Sequence, residues 1–410
     1  MKWKLQKIGE IADIIDGDRG KNYPKQNEFR DKGYCLFLNT GNVTRQGFNF
    51  YNNLFITEEK DKILRKGKLI RGDIVFTSRG TIGNTAYYSD KIPYDNVRIN
   101  SGMVILRAIQ GKVEQRYLYQ LLKSDYQRVR MQSYITGSAQ PQLPIKNFSQ
   151  IEIPIPPLPT QRRIADILSA YDDLIENNQK QIKLLEEAAM RLYKEWFVKL
   201  RFPGHENTKI VDGVPEGWEK LYIEDVCQTV GGGTPSTKVP SYYNNGTIPW
   251  VTPTDITRND CLILLDTEKK ITEEGLARSS AKMLPSETIL MTSRASVGFF
   301  GISEQEVCTN QGFISCIPNN KNLMMFLLLN LMSRKDEIRQ KAGGATYLEI
   351  NKSTFRKLIV IKPDDTLLNE FQSITYTILK RISALKKQSD LLKQARDKLL
   401  PKLMNGEIEV

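Results

Sequence analysis

Ile74-Val75-Phe76-Thr77-Ser78-Arg79-Gly80-Thr81-Ile82-Gly83 returns as Ile289-Leu290-Met291-Thr292-Ser293-Arg294-Ala295-Ser296-Val297-Gly298, 215 positions later. Three hydrophobic residues lead into two hydroxyl side chains, an arginine and a tight turn, the pattern of a buried strand that ends in a polar loop. Outward from that pair, Trp3-Lys4-Leu5 answers to Trp218-Glu219-Lys220-Leu221 at the same offset, and Val43-Thr44-Arg45 answers to Ile256-Thr257-Arg258 at 213. A drift of two residues is a difference in loop length, so a whole unit is duplicated rather than a short motif.

Each copy ends in a helix whose apolar positions step by threes and fours. In the first these are Ile164, Leu168, Tyr171, Ile175, Asn178, Ile182, Leu185, Ala189, Leu192 and Trp196. In the second, at an offset of 210, they are Phe371, Ile374, Ile378, Arg381, Leu385, Gln388, Leu392, Ala395 and Leu399. Both read as coiled-coil seams. Pro159-Thr160 marks a start, with Thr160 as candidate cap, and Pro203-Gly204 a stop. Each seam carries one amide near its middle, Asn178 and Gln388, where a polar residue sets register. One such pattern alone would suit an amphipathic helix lying on a domain. Two in register point to helices that pack on each other, and an internal pseudo-two-fold runs them antiparallel. The expected architecture is α/β (α+β): a domain over 1–157, a central helix over 158–200, a second domain over 201–365 and a C-terminal helix over 366–410.

The 410 residues are enough for two or three folded units. With 40% hydrophobic and 26% charged residues, neither disorder nor a low-complexity fibre is indicated. Met1-Lys2-Trp3-Lys4-Leu5 leads into charged sequence rather than an apolar leader. Leu323 to Met332 is about half the roughly 20 residues that span a bilayer and reads as a buried helix. The five cysteines are odd in number and contain no C-x-x-C pair, which argues against a disulfide framework or zinc site and suits a reducing cytoplasm.

A net charge of +12 suggests an acidic partner such as nucleic acid. The excess is uneven. Residues 1–157 carry 25 Lys+Arg against 15 Asp+Glu, whereas 201–365 carry 19 against 20, so positive charge in the second copy has to be clustered on one face.

Reacting groups are scarce. The single histidine, His205, falls in a turn-rich linker and reads as structural or solvent-exposed, which leaves no Ser-His-Asp relay or multi-histidine metal site. No P-loop occurs, Gly231-Gly232-Gly233-Thr234-Pro235 lacks dinucleotide-binding spacing, and neither an amino-methyltransferase tetrapeptide nor a nuclease Glu-x-Lys partner for Asp364-Asp365 is present. What remains is a set of polar loops. Thr77, Ser78 and Arg79, with Thr292, Ser293 and Arg294, suit phosphates or base edges, and Arg79 and Arg294 would equally serve as internal salt-bridge or loop-bracing residues. Arg45 and Arg258 join them. The loop from Thr136 to Gln142 offers Gln140 and Gln142 as adenine readers, or as ordinary surface, and answers to Gly343-Gly344-Ala345-Thr346.

The segment from Ile153 to Phe197 resembles the central conserved region of Type I restriction-modification specificity subunits. Residues 231–256 and Gly72 to Gly80 are similar to patterns in that family's target-recognition domains, and Leu399 to Ile408 to its C-terminal conserved region. The resemblance implies two repeated target-recognition domains, each reading one half of a bipartite double-stranded DNA site, and two antiparallel helices that act as ruler and dock. It implies two methylation subunits and further restriction subunits as partners. S-adenosylmethionine, ATP and Mg would sit in those partners, with no cofactor or metal and no catalysis on this chain. The second copy departs from the pattern where Gly72-Asp73 gives way to Ser286-Glu287 and Gly80 to Ala295. Two other readings stay open: a stand-alone DNA-binding or regulatory protein, which co-purification of methylation partners would exclude, and an enzyme whose own site would show as DNA-dependent activity.

Overall fold

The computed structural model describes residues 3–137, 140–344 and 347–410. Ser138-Ala139 and Ala345-Thr346, which belong to the polar loops singled out above, lie outside the described residues, as do Met1-Lys2. The chain forms two compact units, Met1–Leu174 with Leu392–Val410, and Ile175–Leu391. This cuts the chain differently from the four expected segments, because each unit takes a share of both long helices.

In the first unit Ala12–Asp16, Met103–Ala108, Ile74–Thr77 and Thr85–Tyr87 form, in that order, a four-stranded antiparallel sheet. Its central strands are continuous apolar runs because both faces are covered. Ile74, Phe76, Val104 and Leu106 pack with Tyr117, Leu118, Leu121 and Phe148, while Val75, Met103 and Ile105 pack on the other side with Leu36, Leu38 and Ile99. That second layer is a three-stranded sheet in which Cys35–Leu38 runs parallel to Val97–Ile99. The repeat closes on itself, since Lys4–Lys7 pairs with Glu152–Ile155.

The second unit repeats the plan. Cys227–Gly231, Phe313–Pro318, Ile289–Thr292 and Phe300–Ser303 stand in the same order, with Ile263–Leu264 added as a fifth strand, and Glu219–Tyr222 pairs with Ile359–Lys362. Ile248–Val251 runs parallel to Cys308–Thr309, as its counterpart does. The apolar run near residue 330 is the helix Met324–Ser333, with Met324 to Leu331 buried. No helix among the described residues is long and apolar enough to cross a membrane.

The central helix spans Leu158–Tyr193 and closes in a π turn, Lys194–Val198. Thr160 is therefore inside the first turn and is not the cap; the side chain of Gln161 instead donates to the Pro156 carbonyl at 2.7 Å and accepts from the Glu114 amide at 2.8 Å. The C-terminal helix, Asp365–Asn405, starts beside Asp364, whose carboxylate accepts from the Leu367 amide at 3.0 Å. Each position of the first predicted seam is buried or half-buried.

The second seam needs correction. Phe371 and Leu385 are buried as expected, but Ile374, Arg381, Gln388 and Ala395 are exposed and Thr375, Leu379, Ile382 and Ser389 are buried instead, so alternate positions move by one residue. Thr375 and Ser389 donate to the carbonyls of Phe371 and Leu385 at 2.7 and 2.9 Å. A hydroxyl satisfied by its own helix is a small side chain that can sit in a seam, and hydropathy does not flag it.

Within the second unit the two helices run antiparallel, with Trp196 5.6 Å from Phe371 and the Asn178 amide donating to the Gln388 carbonyl oxygen at 3.1 Å. Asn178 is buried, while Gln388 reaches in from the seam's edge. Within the first unit Ile164, Ala165 and Leu168 share a core with Leu400, Leu403 and Met404, and Asp172 pairs with Arg396 at 2.5 Å.

Candidate nucleic-acid interface

The duplicated turn is built alike in both units. Thr77 and Thr292 are fully buried. Each hydroxyl donates back into the turn, to the carbonyls of Thr81 and Ser296, and each accepts from an amide, that of Asn84 or Phe299, at 3.0 Å. Ser78 and Ser293 are buried too, held through their amides to the Gly102 and Gly312 carbonyls at 2.9 and 2.7 Å. Reading these four hydroxyls as DNA contacts is therefore corrected. A turn this tight leaves backbone groups unpaired, and the two threonine hydroxyls satisfy them.

The arginines point the other way. Arg79 and Arg294 are exposed at the strand ends, and each lies opposite the returning loop, Arg79 facing Gln142 and Arg294 facing Glu349. The loops are anchored by Leu143 and Ile350, whose amides donate to the Ser78 and Ser293 carbonyls at 2.9 and 3.0 Å. The structure thus brings Arg79, Gln142 and the exposed Gln140 to one edge. In the second unit the counterpart of Gln142 is an acid. Glu349 lies 3.6 Å from Arg294, each about half exposed, and Tyr347 sits 5.9 Å under the guanidinium. Among the described residues no carboxylate pairs with Arg79.

The second copy's departures from the pattern are also clarified. The amide of Gly72 donates to Tyr88 and that of Glu287 to Ser303, so Glu287, not Ser286, stands at Gly72's place. Both positions have left-handed φ, +94° and +66°, as do Gly80 and Ala295 at +70° and +59°. The second unit accepts with ordinary side chains a conformation that costs them about 1 kcal/mol.

Arg45 and Arg258 are exposed, but on different scaffolds. Arg45 tips a hairpin closed by Gly47, and Arg258 ends the short helix Pro253–Thr257, which Pro253 and the Asp255 carboxylate initiate. Sequence reading missed the cations behind the turn. A side chain at Gly83 would meet Arg128, and one at Gly298 would meet Lys335, which lies 4.1 Å over the Phe299 ring, with Arg339 at 5.7 Å. No spacing tied them to the turn, since Arg128 is 45 residues from the Gly83 carbonyl that it approaches. His205 forms part of a 3-10 turn, its Nδ1 2.8 Å from the Phe202 carbonyl. Among the described residues no three His, Cys, Asp or Glu side chains cluster as metal ligands would.

Two structurally repeated units, each presenting an arginine from a strand end, joined in the first by the amide side chains of Gln140 and Gln142, define a class of duplicated scaffold suited to binding a polyanion. The sequence matches the family described as Type I restriction modification DNA specificity domain over residues 1–187 and 215–400, once per repeat, and the chain belongs to that family. It is 26% identical to the Type I restriction enzyme MjaIX specificity subunit of Methanocaldococcus jannaschii, covering 100% of this chain and 94% of the relative. It is likewise 26% identical to the HindI specificity subunit of Haemophilus influenzae, covering 99% of each. The fold matches the S subunit of a Type I restriction-modification system from M. genitalium with a TM-score of 0.59 at 17% identity, covering 98% and 96% of the two chains.

Proposed function

We propose that this chain is the DNA sequence-specificity subunit of a Type I restriction-modification enzyme, and that each unit reads one half of a bipartite, asymmetric site. The observation that carries the reading is the duplicated strand-turn-loop edge, with Arg79, Gln140 and Gln142 in one copy and Arg294 in the other, inside a chain whose two repeats both match the family. The subunit acts in a multisubunit complex with DNA. It supplies specificity, and catalysis belongs to its partners: two methylation subunits using S-adenosylmethionine and restriction subunits using ATP and Mg. The paired helices, registered by Asn178 and Gln388, set the unread spacer and dock the methylation subunits.

The test is to sequence the host's methylated motifs with and without this chain, and to assay the purified chain with S-adenosylmethionine and DNA before and after adding methylation subunits. The reading expects a two-part motif that disappears with the chain, and methyl transfer only in the mixture. Methyl transfer by the isolated chain, or a methylation pattern indifferent to its loss, would overturn it. Inserting one heptad in both helices is expected to lengthen the spacer by roughly three base pairs, from about 10 Å of added helix.

A further inference from the structure

Behind the polar turn of the first unit lies an open hollow of ≈ 520 Å3, lined among others by Arg45, Gly80, Thr81, Arg128 and Gln132. The unit neutralises its structural arginines closely. Arg98 pairs with Asp61 at 2.5 Å, and Arg107 grips Asp73 with two nitrogens at 2.9 and 2.8 Å. The two arginines of the hollow are treated differently. Asp125 stands 3.8 Å from Arg45 and 3.9 Å from Arg128, at the outer limit of ion pairing, and is itself 75% exposed.

The Arg128 Nε is buried with no acceptor among the described residues, and its Nη2 reaches the Gly83 carbonyl only at 3.5 Å. Burial, and then the charge of Arg45, lower the Arg128 proton affinity, as expected for a cation short of counter-charge. A largely buried guanidinium at the edge of an open hollow gains most from a tetrahedral oxyanion, which offers several acceptors to both arginines at once. The second unit fills the corresponding place differently, with Phe299 where the first has Asn84 and Lys335 stacked on its ring.

We propose that Arg45 and Arg128 seat one backbone phosphate of DNA, anchoring the first unit to the duplex independently of the bases met by Arg79. The inference rests on the reading of this chain as a DNA-specificity subunit. The seated phosphodiester takes over from Asp125 as counter-charge to the pair, so the contact carries no sequence information.

The experiment measures fluorescence-anisotropy affinities of the full-length chain, co-expressed with its methylation subunits, between about 50 and 200 mM salt. Two duplexes are used, one bearing the methylated motif and one scrambled. Arg45→Gln and Arg128→Gln are each expected to weaken both duplexes by the same factor, roughly three- to tenfold, and to lower the slope of log K against log salt by about 0.9. Arg45→Lys is expected to keep the slope. Unchanged affinity and slope, or a loss confined to the motif duplex, would overturn the phosphate seat. Arg45 tips an exposed hairpin, so its variants test the idea even where Arg128→Gln fails to fold. Wild-type protein that binds neither duplex would remove the underlying reading as well, a result distinct from variants that bind like wild type.

Discussion

The two units share a turn down to its hydrogen bonds, yet differ in what surrounds the arginine at its tip. In the first, Arg79 faces Gln142 and is followed by Gly80; in the second, Arg294 faces Glu349 and is followed by Ala295. A second contrast lies along the central helix. Within the first unit Asp172 meets Lys123 at 3.1 Å, Gln120 at 2.8 Å and Arg396 at 2.5 Å. Burial would raise its carboxyl, but these partners outweigh burial and hold it below the usual range. Within the second unit Glu186 accepts, among the described residues, the Leu262 amide alone, at 2.7 Å. Burial, opposed by that amide and helped by the charge of Asp260, pushes it up to about 7. A duplicated scaffold thus keeps what closes its backbone and lets charge diverge where backbone geometry does not depend on it.

The largest effect is expected at Asp172. Replacing it with Asn removes the carboxylate shared by Lys123 and Arg396 and leaves Arg396 with the more exposed Asp397, at a cost of about 3 kcal/mol in denaturant unfolding of the first unit. Because its folded pKa is depressed, its stabilisation is present above the unfolded carboxyl pKa near 3.9 and is lost as pH falls toward the folded value. An Asp172→Asn protein as stable as wild type at pH 7 would erase the contrast.

Glu186 is expected to behave oppositely. Its folded pKa is raised, so its favourable contribution belongs to low pH and is lost as pH rises from about 4.5 through about 7. Glu186→Gln keeps an acceptor for Leu262, and is expected to stabilise the second unit by up to about 3 kcal/mol at pH 8 and by little at pH 4.5. Thermal melts across that range measure it, and a pH-independent difference would count against a buried titrating carboxyl.

At the turn, Arg79→Ala is expected to cost on the order of 1 to 3 kcal/mol of binding to a site intact in its own half, with no loss when that half is scrambled. Arg294→Ala is expected to cost under about 1 kcal/mol, because Glu349 already offsets its charge, and Glu349→Gln should bring the second unit up toward the first. Equal losses for both arginines on every sequence would make them phosphate contacts or braces. The smallest effect is conformational. Ala295→Gly is expected to stabilise the second unit by about 0.5 to 1 kcal/mol and Gly80→Ala to destabilise the first by a similar amount, by relief or creation of left-handed strain.

Sequence alone determined the duplication, the strand ahead of each turn, the buried nature of the run near residue 330, and the long helices with Asn178 and Gln388 as partners. These follow from periodicity and self-similarity, which are local or translational properties of a chain. Tertiary structure decided the rest. It turned Thr77 and Thr292 inward, because a hydroxyl beside a tight turn is claimed by the nearest unpaired amide or carbonyl, and Ser78 and Ser293 with them, held through their own amides. It moved the second seam onto Thr375, Ile382 and Ser389, because a small polar residue that bonds its own helix packs like an apolar one. Only folding brought Arg128 behind Gly83, Glu349 against Arg294 and Glu186 beneath the Leu262 amide. Charge compensation depends on distances across tens of residues, for which the linear order of side chains carries no measure.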